Sequence, residues 1–287
     1  MNINKSEICA IIVTYNSSIE SINNIFLYLK EESIFFIVSD NSDNQDMPLK
    51  IQELTENYGG YYLCMNDNIG IASAQNYGVN EAFNRDYKAV LLLDDDSLPM
   101  PSMVDLMLCY FNKVKEKNII LCARTINRAG VDVSNAPPSD SEVSLCRELM
   151  SSGALITKDV FSRVGPFNDS LFIDCVDFEW GWRAQKMGIS INICNKALLK
   201  HELGHGQLFG AGLPSPVRHY YQYRNILNLI FSPHPPLQWK FLQFFKLIIK
   251  LFYILLVFPE KKTRLYYAVN GISDAFFKNN GKLSKTR

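Results

Sequence analysis

From residue 8 to residue 123 the chain alternates short apolar runs with longer stretches in which apolar residues recur at helical spacing. Ile8–Thr14 is β-branched and apolar, which predicts a strand buried on both faces. Ser18 is placed to cap a helix whose apolar positions Ile22, Ile25, Phe26 and Leu29 share one face. Ile34–Ser39 predicts a second strand, followed by the turn cluster Asp40-Asn41-Ser42-Asp43. Pro48–Tyr58 reads as a helix with Gly59 beyond its end, Tyr61–Met65 as a strand and Ile71–Asn84 as a helix. Ala89–Leu93 predicts a fourth strand that runs straight into Asp94-Asp95-Asp96. Ser102-x-x-Asp105 has capping-box spacing and predicts a helix as far as Lys117. Ile119–Ala123 reads as a fifth strand.

Strands alternating with helices imply an α/β domain, a mostly parallel sheet covered by helices, with ligands beyond the carboxyl ends of the strands. From Arg124 to Glu148 Pro, Ser and Asp accumulate, which predicts an irregular surface excursion. Regular patterning returns at Ser151–Ile156, then in a short helix at Asp159–Val164 stopped by Gly165-Pro166. Phe178–Met187 reads as a helix ending at Gly188, Ser190–Cys194 and Ala197–Lys200 as strands, and Gly204–Pro216 as a mobile loop. Phe241–Phe258 is apolar except for Gln243, Lys246 and Lys250. Two charges in that length disfavour a spanning helix. An amphipathic helix lying in a membrane interface fits better, with an ordinary packed helix as the alternative.

Composition changes this picture in two ways. Lys plus Arg and Asp plus Glu both number 29, so a general nucleic-acid binder is excluded. The balance is uneven: residues 240–287 hold ten Lys or Arg against Glu260 and Asp274, a net of +8, leaving −8 for the first 239 residues. A basic aromatic tail on an acidic body suits an anionic surface. The seven cysteines are odd in number and widely spaced, with no C-x-x-C, which points to a reducing compartment and not to a disulfide framework or a zinc site. Met1 to Glu7 is polar, without the apolar stretch of a signal peptide. The expected location is cytoplasmic, or on a membrane from its cytoplasmic side.

Several polar clusters carry candidate chemistry. Asp94 and Asp96 are two apart in an extended segment and so point the same way. Paired carboxylates at the ligand edge suit Mg²⁺ or Mn²⁺ that completes its shell with substrate phosphates. Thr14-Tyr15-Asn16 and Asp40-Asn41 follow the first two strands, where a nucleotide base sits in such sheets, and a carboxylate there can accept an imide N–H; plain turn chemistry is the alternative. Asn68-x-Gly70 precedes a helix and either offers backbone N–H groups to a ligand or caps it. Asp174-x-x-Asp177-x-Glu179 opens the helix bearing Trp180, Trp182 and Arg183, so it serves either as cap or as a general base in a sugar-gripping pocket. His201-Glu202-Leu203-Gly204-His205 offers metal or phosphate ligands, but Gly204 breaks the helix a metalloprotease motif needs. Arg224, in Tyr223-Arg224-Asn225, is a candidate to neutralise a diphosphate.

Taken in order, these pieces resemble the family 2 glycosyltransferases. The resemblance runs through ICAIIVTYNSS (8–18), VSDNSDN (38–44), NDNIGIASAQNYGVNEAF (66–83), VLLLDDDSLP (90–99), SSGALITKDVF (151–161), FNDSLFIDCVDFEWGWR (167–183), HELGHG (201–206) and YYQYRN (220–225), with GKL at 281–283 also similar. It implies a GT-A fold, a Rossmann-like mostly parallel sheet flanked by helices, with a C-terminal amphipathic helical extension. The implied division is a catalytic domain over 1–230, with its nucleotide part to about 123, and a basic region over 231–287. Within the family the chain is most similar to bacterial rhamnosyltransferases of surface polysaccharide assembly. The implied reaction is inverting transfer of L-rhamnose from dTDP-L-rhamnose to a lipid-linked glycan of O-antigen or capsule, on the cytoplasmic face of the inner membrane.

Carried over residue by residue, Asp94 and Asp96 match the D-x-D, with His201 completing the Mg²⁺ or Mn²⁺ site. Asp177 matches the catalytic base, although Val176 stands where the family has Glu, leaving Asp174 as a rival. Thr14, Tyr15, Asn16, Asp40, Asn41, Asn68, Gly70, Gln75, Asn76, Asp94, Asp95 and Arg224 are the implied donor-binding positions. A UDP-sugar donor is the alternative. A cation-dependent carbohydrate-binding module and a sugar-nucleotide pyrophosphorylase are weaker readings, the latter lacking its Gly-rich basic loop at Tyr15-Asn16-Ser17-Ser18.

Overall fold

A computed structural model describes residues 2–284 except Gln45, Arg128, 202–206, 209–210 and 213; of 207–208 and 211–212 only the backbone is described. The main sheet is nine-stranded, in the order β3-β2-β1-β4-β8-β6-β9-β5, with β7 also on β9. Its parallel block is β1 (Ile8–Thr14), β2 (Phe35–Asp40), β3 (Tyr61–Cys64) and β4 (Ala89–Asp94). The remainder is mixed: β5 (Ser97–Pro99), β6 (Ile119–Ile126), β7 (Val143–Cys146), β8 (Ala154–Thr157) and β9 (Ser190–His201).

The strands are apolar on both sides because both sides are covered. Ile8, Ala10 and Ile12 of β1 face α1 (Ile19–Glu31), α2 (Met47–Asn57) and α4 (Met103–Lys113). Cys9 and Ile11 face the opposite layer, α3 (Ile71–Asn84), α5 (Lys158–Val164) and α6 (Val176–Lys186). Side chains alternate along a strand, so one apolar run feeds two cores.

Three local expectations are corrected. Ser102 occupies the N-cap but forms no capping box: it has φ 64° and its side chain makes no capping bond, while Asp105 pairs with Lys5 and the helix stops at Lys113. The stretch from Arg124 is not wholly irregular. It extends β6 to Ile126 and returns as β7, and buried Arg124 ties the excursion down through the carbonyls of Ala136 and Pro137 (both 3.2 Å). The two strands expected over 190–200 are one, β9, whose register against β6 jumps from Ala123↔Cys194 to Arg124↔Leu198. The extra residues bulge out, and the bulge resembles a strand break in sequence.

After the sheet come α7 (Pro216–Phe231), α8 (Leu237–Leu256) and α9 (Lys261–Phe277). Tyr223, Leu247, Ile254 and Ala268 make a small core between them, so α7 packs on the two helices that follow it. Among the described residues no helix is long and apolar enough to cross a membrane. Of the loop expected at 204–216, residues 204–206, 209–210 and 213 lie outside the described residues, while Gln207–Leu208 and Ala211–Gly212 pair as two short antiparallel strands and Pro216 already opens α7.

Candidate functional site

The site follows from strand register. Parallel pairing sets Thr14 opposite Asp40 and Val13 opposite Asp94, so the segments after β1, β2 and β4 emerge together at one edge. Antiparallel pairing of β5 with β9 sets Ser97 opposite His201 and brings that histidine to the acidic turn. One ligand atom each from Asp94, Asp96 and His201 lies within 4.8 Å of the others. His201 Nδ1 is 3.3 Å from Asp96 Oδ1 and 2.7 Å from Ser97 Oγ. Ser97 Oγ in turn accepts the Ser152 hydroxyl (2.8 Å), and Ser152 Oγ accepts the Asp94 N–H (3.0 Å).

Burial, then the carboxylates of Asp96, Asp95 and Asp177, push the Asp94 carboxyl up to about 8. Crowded carboxylates in this state fit a divalent cation, which removes the repulsion that holds the proton on. Asp95 turns the other way. It accepts the Ser17 hydroxyl and the Tyr15 N–H (3.4 Å) and so anchors the loop after β1.

The open cleft at this edge is lined on one side by Tyr15, Asn41, Asp43, Asn68, Gly70 and Gln75. Tyr15 donates to Asp43 Oδ2 (3.1 Å) and Asn16 Nδ2 to Asp43 Oδ1 (2.8 Å). Asp43 is a cleft residue that the sequence reading left as part of a turn. Asp40, the expected acceptor of a base N–H, is corrected: it is fully buried. It already accepts the Thr14 hydroxyl (2.8 Å), the Ser42 N–H (3.0 Å) and hydroxyl (2.6 Å), and the Tyr62 hydroxyl (2.7 Å). Three of those bonds end on Oδ1 and the Tyr62 bond on Oδ2, so the carboxylate is engaged by its own loops. Thr14 is buried with it and holds the loops together instead of touching the cleft.

The backbone N–H groups around Gly70 are likewise spent. Those of Ile69, Gly70 and Ile71 go to Asn41 Oδ1 (3.2 Å), Asn68 Oδ1 (3.0 Å) and the Phe172 carbonyl (2.8 Å). Asn76 uses both ends of its amide on the Phe167 backbone (2.9 and 2.8 Å), so it too is structural.

The same cleft is lined by Asp174, Asp177, Phe178 and Arg218. Burial pushes the Asp177 carboxyl up to about 6, against the hydrogen bonds of the Phe178 and Ser151 backbone. Asp174 is held by Arg218 through both carboxylate oxygens (3.0 and 2.5 Å). Glu179 is buried against Arg183 (2.8 Å). The tryptophans are core residues and not a sugar platform: Trp180 donates to the Gly165 carbonyl (2.7 Å) among Phe161 and Phe167, and Trp182 packs on Trp239.

Arg224 is also corrected. It is fully buried, and its guanidinium donates to the carbonyls of Gly281 (2.6 Å), Leu171 (2.9 Å) and Ser170 (3.3 Å) and to Asn225 Oδ1 (2.9 Å). Among the described residues the cations that do line the cleft are Arg218, Lys250 and Lys282; none was among the expected donor-binding positions, Lys250 having been noted only as a charge in the apolar run and Lys282 only within GKL. Glu202 and His205 lie outside the described residues.

Comparison with known proteins fits this geometry. The description of glycosyl transferase family 2 matches residues 9–154. A Shigella flexneri protein described as dTDP-rhamnosyl transferase RfbF is 28% identical over 282 residues, covering 91% of this chain and 92% of its own. Among solved structures, S. aureus TarS residues 1–349 in complex with UDP-GlcNAc aligns at TM-score 0.57 and 14% identity, over 95% of this chain and 81% of that one. GalNAc-T7 with UDP, GalNAc and Mn²⁺ aligns at TM-score 0.60 and 12% identity, over 80% of this chain and 53% of that one. Such identities establish a common GT-A fold. With the family match spanning half of its length and carrying the β4 acidic turn, this chain is a glycosyltransferase and belongs to glycosyl transferase family 2.

Proposed function

We propose that this enzyme transfers L-rhamnose from dTDP-L-rhamnose, with inversion, to a lipid-linked glycan acceptor of bacterial surface polysaccharide, at the cytoplasmic face of the membrane. The observation that carries the reading is one cleft lined by two kinds of acid. Asp94, Asp96 and His201 have the spacing of a cation site, and Asp177, near enough to push the Asp94 carboxyl up, has its own carboxyl pushed up to about 6. A Mg²⁺ or Mn²⁺ ion held by Asp94, Asp96 and His201 would supply charge neutralisation for the leaving diphosphate. The nucleoside is taken by the wall of Tyr15, Asn41, Asp43, Asn68, Gly70 and Gln75. The rhamnosyl donor is supported by the likeness to RfbF along nearly the whole chain.

In the transfer, the acceptor oxygen forms the new bond to the anomeric carbon. The carbon–oxygen bond to the diphosphate breaks with its electron pair. The hydroxyl proton passes to Asp177, which must be ionised to take it. Asp174 is a poor rival, because the bidentate Arg218 occupies both of its oxygens. Asp177→Asn is therefore expected to lose about 10²–10⁴-fold in transfer while retaining dTDP binding. Wild-type kcat/KM should climb as pH rises through about 6, where Asp177 loses its proton. The deciding measurement is nucleoside diphosphate release from dTDP-L-rhamnose and a panel of UDP-sugars, with Mn²⁺ and with EDTA. Turnover of UDP-sugars alone would overturn the donor, and normal transfer by Asp177→Asn would overturn the base.

A further inference from the structure

The burial of Arg224 raises the question of which cation faces the donor. Of the lysines and arginines that line the cleft among the described residues, Arg218 is bound to Asp174 and Lys250 donates to Gln222 (2.5 Å), both on the wall that carries the base. Lys282 lines the cleft elsewhere, near Tyr15, Asp43 and Asp67. Its Nζ reaches both oxygens of Asp67 (2.6 and 2.7 Å), 215 residues away in sequence.

That placement is built. Arg224 donates to the Gly281 carbonyl at 2.6 Å, and the Gly281 N–H donates to the Ser170 carbonyl at 2.7 Å. Gly281 has φ 78°, a turn that glycine makes without strain. On the other side of Lys282, the Leu283 N–H donates to the Tyr221 hydroxyl (3.1 Å), and Leu283 packs on the cluster of Phe172, Tyr220 and Tyr221. Both neighbours of Lys282 are thus fastened to the protein by hydrogen bonds, and its side chain is held at the cleft. The ion pair with Asp67 is solvent-exposed on both sides, so Lys282 changes partners at little cost.

Resting on the nucleotide-sugar reading above, we infer that Lys282 is a donor-binding residue: it leaves Asp67 to pair with the diphosphate of the nucleotide, and Arg224 acts by positioning it. A compact ammonium on a flexible stem is suited to a phosphate as a point charge.

Calorimetric titration of the full chain in Mn²⁺ with dTDP, UDP and thymidine tests this. Wild type, Lys282→Ala, Lys282→Arg and a chain ending at Asn280 are compared, with circular dichroism as the check on folding. Lys282→Ala should bind dTDP about ten- to hundredfold more weakly, the usual loss for a hydrogen bond to a charged group, and thymidine unchanged. Lys282→Arg should recover most of the loss, and the shortened chain should bind dTDP no better than Lys282→Ala. Equal weakening toward dTDP and thymidine would make residues 281–284 a structural strap only and overturn the inference, as would unchanged dTDP binding. Wild type that binds neither dTDP nor UDP would instead overturn the donor reading itself, and this inference with it.

Discussion

Asp94 shows how a single residue records what its site is for. Burial and three neighbouring carboxylates raise its carboxyl from 3.8 to about 8. Between those values the native state keeps a proton that the unfolded chain has released, so stability falls as pH rises across the window. A divalent cation competes with that proton for the carboxylate, so it offsets the penalty most where the proton has been lost, at high pH. The gain in melting temperature on adding Mn²⁺ should therefore grow from pH 5 to pH 8.5 and disappear in Asp96→Asn. A gain that is flat with pH would place the cation elsewhere. The D-x-D was legible in sequence because period two and a preceding apolar strand fix where two carboxylates point. Arg224, Asp40 and Asn76 were misread for the opposite reason. The partners Gly281 and Leu171 of Arg224 and Phe167 of Asn76 are more than 50 residues away in sequence, and Asp40 is engaged by Thr14 and Tyr62 on neighbouring strands, 26 and 22 residues away. Residue type alone does not say whether a donor faces a ligand or a distant carbonyl.

At the level of elements, strands were legible wherever both faces are apolar, as in β1 and β4, because burial on two sides leaves an unbroken hydrophobic run. Short strands held mainly by a neighbour, β5 and β7, left no such run. Helix α7 was missed because its buried positions include His219, Arg224 and Asn225, so polarity does not mark its exposed face. It is fixed by α9 at a close crossing. A Cβ on Gly271 would sit 2.3 Å from the Tyr220 carbonyl oxygen, which is backbone and cannot swing aside. The Tyr220 hydroxyl donates to buried Asp274 (2.8 Å) and its ring lies beside the Arg224 guanidinium, so a shift here reaches the seat of Lys282. Gly271→Ala is expected to cost roughly 1–3 kcal/mol, the range for overpacking a tight core. Urea denaturation should show it as a lower midpoint at unchanged m. An unchanged midpoint would mean that α9 does not unfold with the rest of the chain.

The molecule as a whole is electrically lopsided, −8 over the first 239 residues and +8 beyond them, and α8 is lopsided too. Trp239, Gln243 and Lys250 on its inner side line the cleft. Its outer side exposes Phe241, Phe245, Ile249, Phe252 and Leu256, which are spaced as one helical face. Lys240 and Lys246 on α8, with Lys261 and Lys262 opening α9, supply positive charge near that face. An apolar helical face with lysines nearby suits a bilayer interface, where buried area and about 1 kcal/mol per basic residue near anionic headgroups would hold it. Docked this way, the same helix would present the cleft to an acceptor whose lipid is in that membrane. We therefore expect the enzyme to co-sediment with vesicles containing phosphatidylserine and less so as salt is raised, since only the electrostatic part is screened. Phe245→Glu combined with Ile249→Glu should abolish co-sedimentation at any salt and slow transfer to a lipid-linked acceptor, while sugar transfer to a soluble acceptor, with release of dTDP, continues. Undiminished vesicle binding by that double variant would move the docking surface away from α8, and no binding by wild type at low salt would leave the helix a partner other than lipid.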